Sequence, residues 1–149
     1  MGTYTTDMRD IRFVLFEMLK IDELAKTERF KDFGKDDYEA FATEAYRFAR
    51  EVLAPINEIG DRQGVRHENG VVTLPDPFVV AYKRFQEAGW VSAIQNPADG
   101  GQGLPWLISQ AIHEFFIGAC VSFTLTTGLS EGLLGIITEF GSDAVKQRF

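Results

Sequence analysis

Cysteine is almost absent from this chain. The single thiol, Cys120, cannot form an intrachain disulfide, so no oxidised framework staples the fold. Histidine is nearly as scarce, with His67 and His113 alone. One histidine with carboxylates is a poor zinc set, so no metal site is expected. His113-Glu114 matches the start of the metalloprotease pattern H-E-x-x-H, but Ile117 stands where the second histidine belongs. Positive charge is the third shortage: 15 Lys and Arg against 22 Asp and Glu leave a net charge of −7. Such a balance gives no general affinity for nucleic acid or anionic membrane. Uncharged runs are short as well. One of them, residues 115–129, falls below the roughly 20 apolar residues of a membrane span and carries Ser122, Thr124, Thr126 and Thr127. It reads as a buried core helix, with no membrane span expected. Charges interrupt every early apolar run, so no secretory signal is expected and the chain reads as soluble and cytoplasmic.

What is present is ordinary globular material. At 149 residues and 45% hydrophobic content the chain can build one core without staples. Glycine and proline concentrate in one place, Asn96-Pro97-Ala98-Asp99-Gly100-Gly101-Gln102-Gly103-Leu104-Pro105. Two readings compete there. A phosphate cradle would need G-x-G-x-x-G spacing or a Lys-Ser/Thr pair, and the stretch has neither. A structural bend between two elements needs only glycines that admit positive φ and a proline that opens a helix.

Hydrophobic spacing predicts an all-α chain, a multi-helix bundle of about five or six helices. Residues 7–19 carry Ile11, Leu15, Met18 and Leu19 at helical spacing, and Phe13, Val14 and Phe16 make the helix apolar almost all round. Such a helix needs cover on more than one side. The clearest helix starts at Asp36, with Glu39 at capping-box distance, and buries Phe41, Ala45, Phe48, Ala49, Val52 and Ile56. Pro55 should kink or restart it. Asn69-Gly70 signals a turn between two short extended pieces, too little strand for a sheet. A helix over residues 76–88 buries Phe78, Ala81, Tyr82 and Phe85 and stops at Gly89. Beyond the bend, residues 105–119 form an apolar helix, Ser130-Glu131 open another to Phe140, and Ser142 caps a last one over residues 143–149.

None of these residues forms a catalytic constellation. Cys120 sits among apolar neighbours and reads as an inert buried thiol. Glu114 reads as a partnered structural carboxylate, with a buried acid of raised pKa as the alternative.

The order of the pieces says more. The helix ending in Val52-Leu53-Ala54-Pro55-Ile56-Asn57 is followed by Gly60-Asp61-Arg62-Gln63-Gly64, Gly70-Val71-Val72-Thr73-Leu74-Pro75 and Ala88-Gly89-Trp90. Then come Gly100-Gly101-Gln102-Gly103-Leu104-Pro105, Glu114, and Phe140-Gly141-Ser142-Asp143-Ala144-Val145-Lys146-Gln147-Arg148-Phe149. In that order the sequence resembles the N-terminal helical domain of flavin-dependent acyl-CoA dehydrogenases. Tyr4 and Asp10-Ile11-Arg12-Phe13-Val14-Leu15-Phe16-Glu17 are similar to the extra N-terminal segment of a larger subgroup, which includes long-chain-type and 3-methylmercaptopropionyl-CoA dehydrogenases. The expected organisation is an N-terminal extension with one helix, residues 1–33, and the helical domain, residues 34–149.

The resemblance implies a full-length enzyme that removes an α-proton with a carboxylate base and passes hydride from the β-carbon to FAD. It implies an acyl-CoA substrate, an electron-transfer acceptor and a homo-oligomer. It places the flavin-holding β-domain, the C-terminal helical domain and the base outside these 149 residues. No catalytic or cofactor-binding residue is therefore expected here, and no flavin on this chain alone. The expectation is an inactive N-terminal fragment. The part implied for this chain is one wall of the acyl-chain pocket, carried by Phe123, Thr124, Thr127, Leu129 and Leu133. Phe123 and Thr127 depart from the polar residues common in medium-chain relatives, and core packing is the alternative for each of the five. Two further readings stay open, a self-associating helical interaction module and an acyl-lipid binding domain.

Overall fold

The computed structural model describes residues 4–148, whose regular elements are helices and one hairpin. Residues 1–3 of the expected extension and Phe149 of the expected last helix lie outside the described residues. Helix α1 (Met8–Arg12) opens at Asp7, whose carboxylate accepts from the Arg9 N–H at 2.9 Å. It runs on as a π-helical stretch, Phe13–Met18. Ile11 and Leu15 are buried while Phe13 and Met18 stay exposed, so this apolar helix is covered on one side, not all round. Ile21, opening a 3₁₀ turn (Ile21–Lys26), joins the same core.

Helix α2 (Lys35–Phe48) begins one residue before the expected start. Its cap is Gly34, because the Asp37 carboxylate reaches back to accept from the Gly34 N–H at 2.7 Å. The Asp36–Glu39 box is thus replaced by a one-sided contact from the neighbouring acid. The restart expected at Pro55 takes the form of a π-helical stretch (Ala49–Leu53) leading into α3 (Ala54–Gln63). Pro55 has no N–H to give the preceding turn, and the widened turn lies directly before it. The buried face is Tyr38, Ala42, Ala45, Phe48, Ala49, Val52, Leu53 and Ile56; Phe41 is only half-buried.

A hairpin follows, β1 (Arg66–Glu68) and β2 (Val71–Thr73), with His67 opposite Val72. Asn69 and Gly70 take φ of 51° and 78°, the paired positive values that a two-residue hairpin turn requires. All six strand residues are exposed, so the pair has no sheet core. Helix α4 (Asp76–Glu87) buries Phe78, Ala81 and Phe85 and ends at Gly89, φ 76°. Tyr82 sits at the core's edge, not in it.

After the bend come α5 (Trp106–Ala119), α6 (Val121–Phe140) and α7 (Asp143–Arg148). The continuous core helix expected over residues 115–129 is broken at Cys120, whose backbone is extended (φ −158°, ψ 90°). Conversely, no second helix starts at Ser130-Glu131. Both residues lie inside α6, which continues without a break through Gly128.

Aromatic rings knit these helices. Phe116 of α5 meets Phe48, Phe85 and Trp90 edge-on at centroid distances of 5.8, 5.5 and 5.6 Å. Phe85 then meets Phe123 of α6 at 5.4 Å. Edge-to-face pairs of this kind each add roughly 0.5–1.5 kcal/mol beyond their buried area. The core sits between α2, α4 and α5, and α6 closes it with its first two turns only.

Candidate functional site

The ten-residue bend is settled by its own hydrogen bonds. The N–H groups of Gly101, Gln102, Gly103 and Leu104 donate to the carbonyls of Asn96, Ser92, Gln95 and Ala93 at 3.1, 3.2, 2.8 and 2.9 Å. A Cβ on Gly101 would fall on the Gln95 carbonyl, which is why glycine stands there. Gln102 Nε2 donates back to the Gly89 carbonyl at 2.9 Å. A phosphate cradle needs free N–H groups pointing at its ligand. Here they are spent on the chain itself, and the bend is structural.

Helix α6 lies against α5, and its sequence divides it lengthwise. Phe123, Thr124 and Thr127 face inward and are buried. The Thr124 hydroxyl donates to the Cys120 carbonyl at 3.0 Å and the Thr127 hydroxyl to the Thr124 carbonyl at 3.2 Å, so neither is an orphan in the core. Leu129 and Leu133 lie on the opposite face with Leu125, Ile136 and Phe140, and are exposed; Leu129 is 79% and Phe140 81% accessible. By length and composition α6 could cross a membrane. Its inward residues nevertheless pack into the helical core, as those of a bundle helix do.

Between α4 and α6 an apolar hollow of about 210 Å³ is lined by Leu74, Phe78, Val79, Tyr82, Phe123, Thr126 and Thr127. The structure thus brings Phe123 and Thr127, of the five expected pocket residues, to one hollow. It puts Thr124 beside them in the core and Leu129 and Leu133 on the outer face. Leu74, Val79 and Thr126 were not expected at a site, and Phe78 and Tyr82 were expected only as core. Val79 and Tyr82 stand at i, i+3 on α4 beside the buried stripe, the one sequence signal for this wall.

The polar feature of the region is an ion pair between α5 and α6. His113 Nε2 lies 2.9 Å from Glu131 Oε2, with the side chains 19% and 11% accessible. His113 Nδ1 lies 2.9 Å from the Ser109 carbonyl. Both ring nitrogens face acceptors, an arrangement that suits the imidazolium. The hydrogen bond to Glu131 raises the His113 pKa above its ordinary value; burial opposes this, and the Glu131 charge and Ser109 carbonyl add to it. Glu114 is exposed, so the partnered carboxylate of the region is Glu131 and not Glu114. Cys120 is buried, with Sγ 3.5 Å from Ser122 Oγ. Among the described residues no group of His, Cys, Asp or Glu could hold a metal ion.

Residues 35–149 match the family model for the acyl-CoA dehydrogenase N-terminal domain. The chain belongs to this family. It is 36% identical over 145 residues to 3-methylmercaptopropionyl-CoA dehydrogenase of Ruegeria pomeroyi, covering 97% of this chain and 24% of that protein. A butyryl-CoA dehydrogenase of Syntrophomonas wolfei is 32% identical over 98% of the chain and 24% of its own length. The broad-specificity linear acyl-CoA dehydrogenase FadE5 of Mycobacterium tuberculosis is 28% identical over 99% of the chain and 24% of its length. The similarity to these relatives includes the N-terminal segment before residue 35, which in the structure packs onto the domain through Tyr4, Ile11 and Leu15.

Proposed function

We propose that this acyl-CoA dehydrogenase N-terminal domain supplies one wall of an acyl-chain pocket in an enzyme that oxidises acyl-CoA thioesters. The observation that carries the reading is the apolar hollow of Phe78, Val79, Tyr82, Phe123 and Thr127 on a chain of this family. At about 210 Å³ the hollow is smaller than the roughly 300–1,000 Å³ of enclosed small-molecule sites, which fits part of a site completed by other parts of the polypeptide. The exposed outer face of α6 points the same way. A row of Leu125, Leu129, Leu133, Ile136 and Phe140 is a contiguous apolar patch of the kind that marks an interface.

FAD is the cofactor that the family implies, and it would supply the hydride acceptor. The glycine bend does not fit it, because its amides are bonded to the chain's own carbonyls and offer none to the phosphates. No step is assigned to the flavin or to a base within these residues. The chain's own contribution is to bind and orient the apolar tail and to exclude water from it. The electron-transfer acceptor, a homo-oligomeric state and a cytoplasmic, membrane-free location belong to the same proposal.

A chimera tests the pocket assignment. The matched N-terminal 24% of the Ruegeria pomeroyi relative is replaced by this chain, and acyl-CoAs of graded length are assayed. Phe123→Ala and Thr127→Leu should shift the preferred chain length in opposite directions, read as kcat/KM. Variants that leave the length profile unchanged would remove these residues from the pocket.

In the isolated chain the outer face of α6 has a second consequence, self-association through the same leucines. Its test is elution volume against concentration, and a monomer at all concentrations would exclude it.

A further inference from the structure

The inner seam of α6 is polar where a bundle helix is ordinarily apolar. Thr124, Thr127, Glu131, Leu134 and Thr138 follow the 3-4-3-4 spacing of a packing seam, and each is buried or half-buried against this chain's own elements. Leu134 is the one large apolar residue among them. The row Leu125, Leu129, Leu133, Ile136 and Phe140 takes the other face. Only Phe123, set against Phe78 and Phe85 at 6.3 and 5.4 Å, adds a large apolar group to the inner side. Hydrophobic patterning on its own therefore aims the leucine row at the core. The seam lies between elements of this chain, so polypeptide laid over the outer row leaves it unchanged.

Polar contacts hold the opposite setting. The Thr124 and Thr127 hydroxyls donate to the carbonyls of Cys120 and Thr124 and tie α6 to nothing else. Thr138 Oγ1 donates to Gln95 Oε1 across a long 3.4 Å. The short tie is His113 Nε2 to Glu131 Oε2 at 2.9 Å, between side chains 19% and 11% accessible. His113 Nδ1 is held from behind by the carbonyl of buried Ser109 at 2.9 Å, so the ring cannot follow a turning helix. Leu129 and Leu133 stand two residues to either side of Glu131, about 200° away around the helix axis. Turning them toward α5 would carry Glu131 off the imidazole and leave both groups unpaired. Breaking a buried pair is costly, whereas replacing it with apolar side chains of similar volume is often neutral or stabilising. Two apolar residues would therefore serve stability as well. They would not supply a contact that is satisfied in one rotational setting alone.

We propose that the His113–Glu131 pair is the orientation pin of α6. It selects the setting in which Phe123 and Thr127 line the apolar hollow and the leucine row faces the rest of the polypeptide. His113 and Glu131 are thus positioning residues for the pocket wall, a role that rests on the reading of that hollow as part of an acyl-chain pocket.

Thiol labelling of the 149-residue chain tests the pin independently of any acyl chain. In a Cys120→Ser, Thr127→Cys background the one thiol lies at position 127, on the inner seam. With the pair intact, labelling should be slow and urea unfolding cooperative. With His113→Leu and Glu131→Met added, labelling should be about tenfold faster or more, although the urea midpoint stays level or rises. Glu131→Gln keeps an oxygen that accepts from His113 Nε2, and its rate should stay within about twofold of the intact pair. Adding Leu125→Gln, Leu129→Gln and Leu133→Gln to the Leu/Met variant returns the apolar preference to the inner side and should restore slow labelling. Slow labelling in a Leu/Met variant that unfolds cooperatively overturns the pin and leaves the pocket reading standing. If that variant does not unfold cooperatively, the three glutamines decide: a cooperative, slowly labelled chain supports the pin, and any other result overturns it. In the Ruegeria pomeroyi chimera the Leu/Met variant should flatten the kcat/KM profile over acyl-CoA length at unchanged flavin content. A profile as sharp as that of the unsubstituted chimera removes the positioning role. Failure of Phe123→Ala and Thr127→Leu to move the same profile counts against the pocket itself.

Discussion

The ring of Tyr4 rests on the backbone of Gly118: a Cβ on that glycine would stand 2.7 Å from Tyr4 Cε2. A residue near the start of the chain is thereby seated on α5. Tyr46 completes the seat, edge-on to Tyr4 at 6.2 Å, and the Thr6 N–H donates to the Tyr46 hydroxyl at 3.4 Å. The segment that the sequence suggests as an extension is, in the folded molecule, a strap across α2 and α5. Burial, and secondly the nearby Glu114 charge, push the Tyr4 pKa up.

Gly118→Ala should therefore destabilise the chain, although alanine improves the helix by about 1 kcal/mol. Displacing the Tyr4 ring costs about 1–3 kcal/mol by overpacking, and this term wins. In a Tyr4→Ala background the sign should reverse, with Gly118→Ala stabilising by up to about 1 kcal/mol. Urea unfolding of the four members of this cycle measures the coupling. Additive effects would mean that the strap is not seated on α5.

Tyr38 is fully buried, and its hydroxyl is among the buried polar atoms without a hydrogen-bond partner. Desolvation, with the Asp37 charge second, raises its pKa, so the phenol is held neutral. An unpaired buried donor costs about 1–3 kcal/mol, whereas the ring's packing against Phe33 at 6.0 Å would survive its removal. Tyr38→Phe is expected to raise the urea midpoint at unchanged m-value. A lower midpoint would show that the hydroxyl has a partner in solution.

The pH dependence of stability follows from His113. Its folded pKa is raised above the unfolded value of about 6.5, so the folded state binds the proton more tightly. The contribution is fully present below about pH 6.5 and disappears as pH climbs through the raised folded value. Urea midpoints should fall across that window in the wild type and stay flatter in His113→Gln. Equal slopes for the two proteins would remove the ion pair from the stability of the domain.

Much of this architecture is legible in the residues themselves. Phe78, Ala81 and Phe85 mark the buried face of α4, Gly89 stops it in the left-handed conformation, and Asn69-Gly70 turns the hairpin, because each depends on local backbone preference. What escapes is decided by distant partners. Asp36 and Glu39 have the spacing of a cap, yet Asp37 makes the contact, since three neighbouring acids compete for one turn. Ser130-Glu131 has the look of a helix start, but α6 runs straight through it, and the break falls at Cys120 instead. Resemblance to the family suggests a segment for the proposed pocket wall, but not which way each residue points. Phe123 and Thr127 reach the hollow, and Leu129 and Leu133 face outward, because helical rotation separates them. The pairing of His113 with Glu131 needs α5 and α6 side by side, which no local pattern announces.

The central claim is that this chain is the N-terminal wall of an acyl-CoA dehydrogenase whose redox chemistry lies in other parts of the polypeptide. The most direct measurement compares flavin absorbance and its bleaching by acyl-CoA in the isolated chain and in the Ruegeria pomeroyi chimera. The account predicts a colourless isolated chain, and a chimera that carries flavin and bleaches with an acyl-CoA. Stoichiometric FAD on the isolated chain would contradict it, as would a folded, flavin-loaded chimera that no acyl-CoA bleaches.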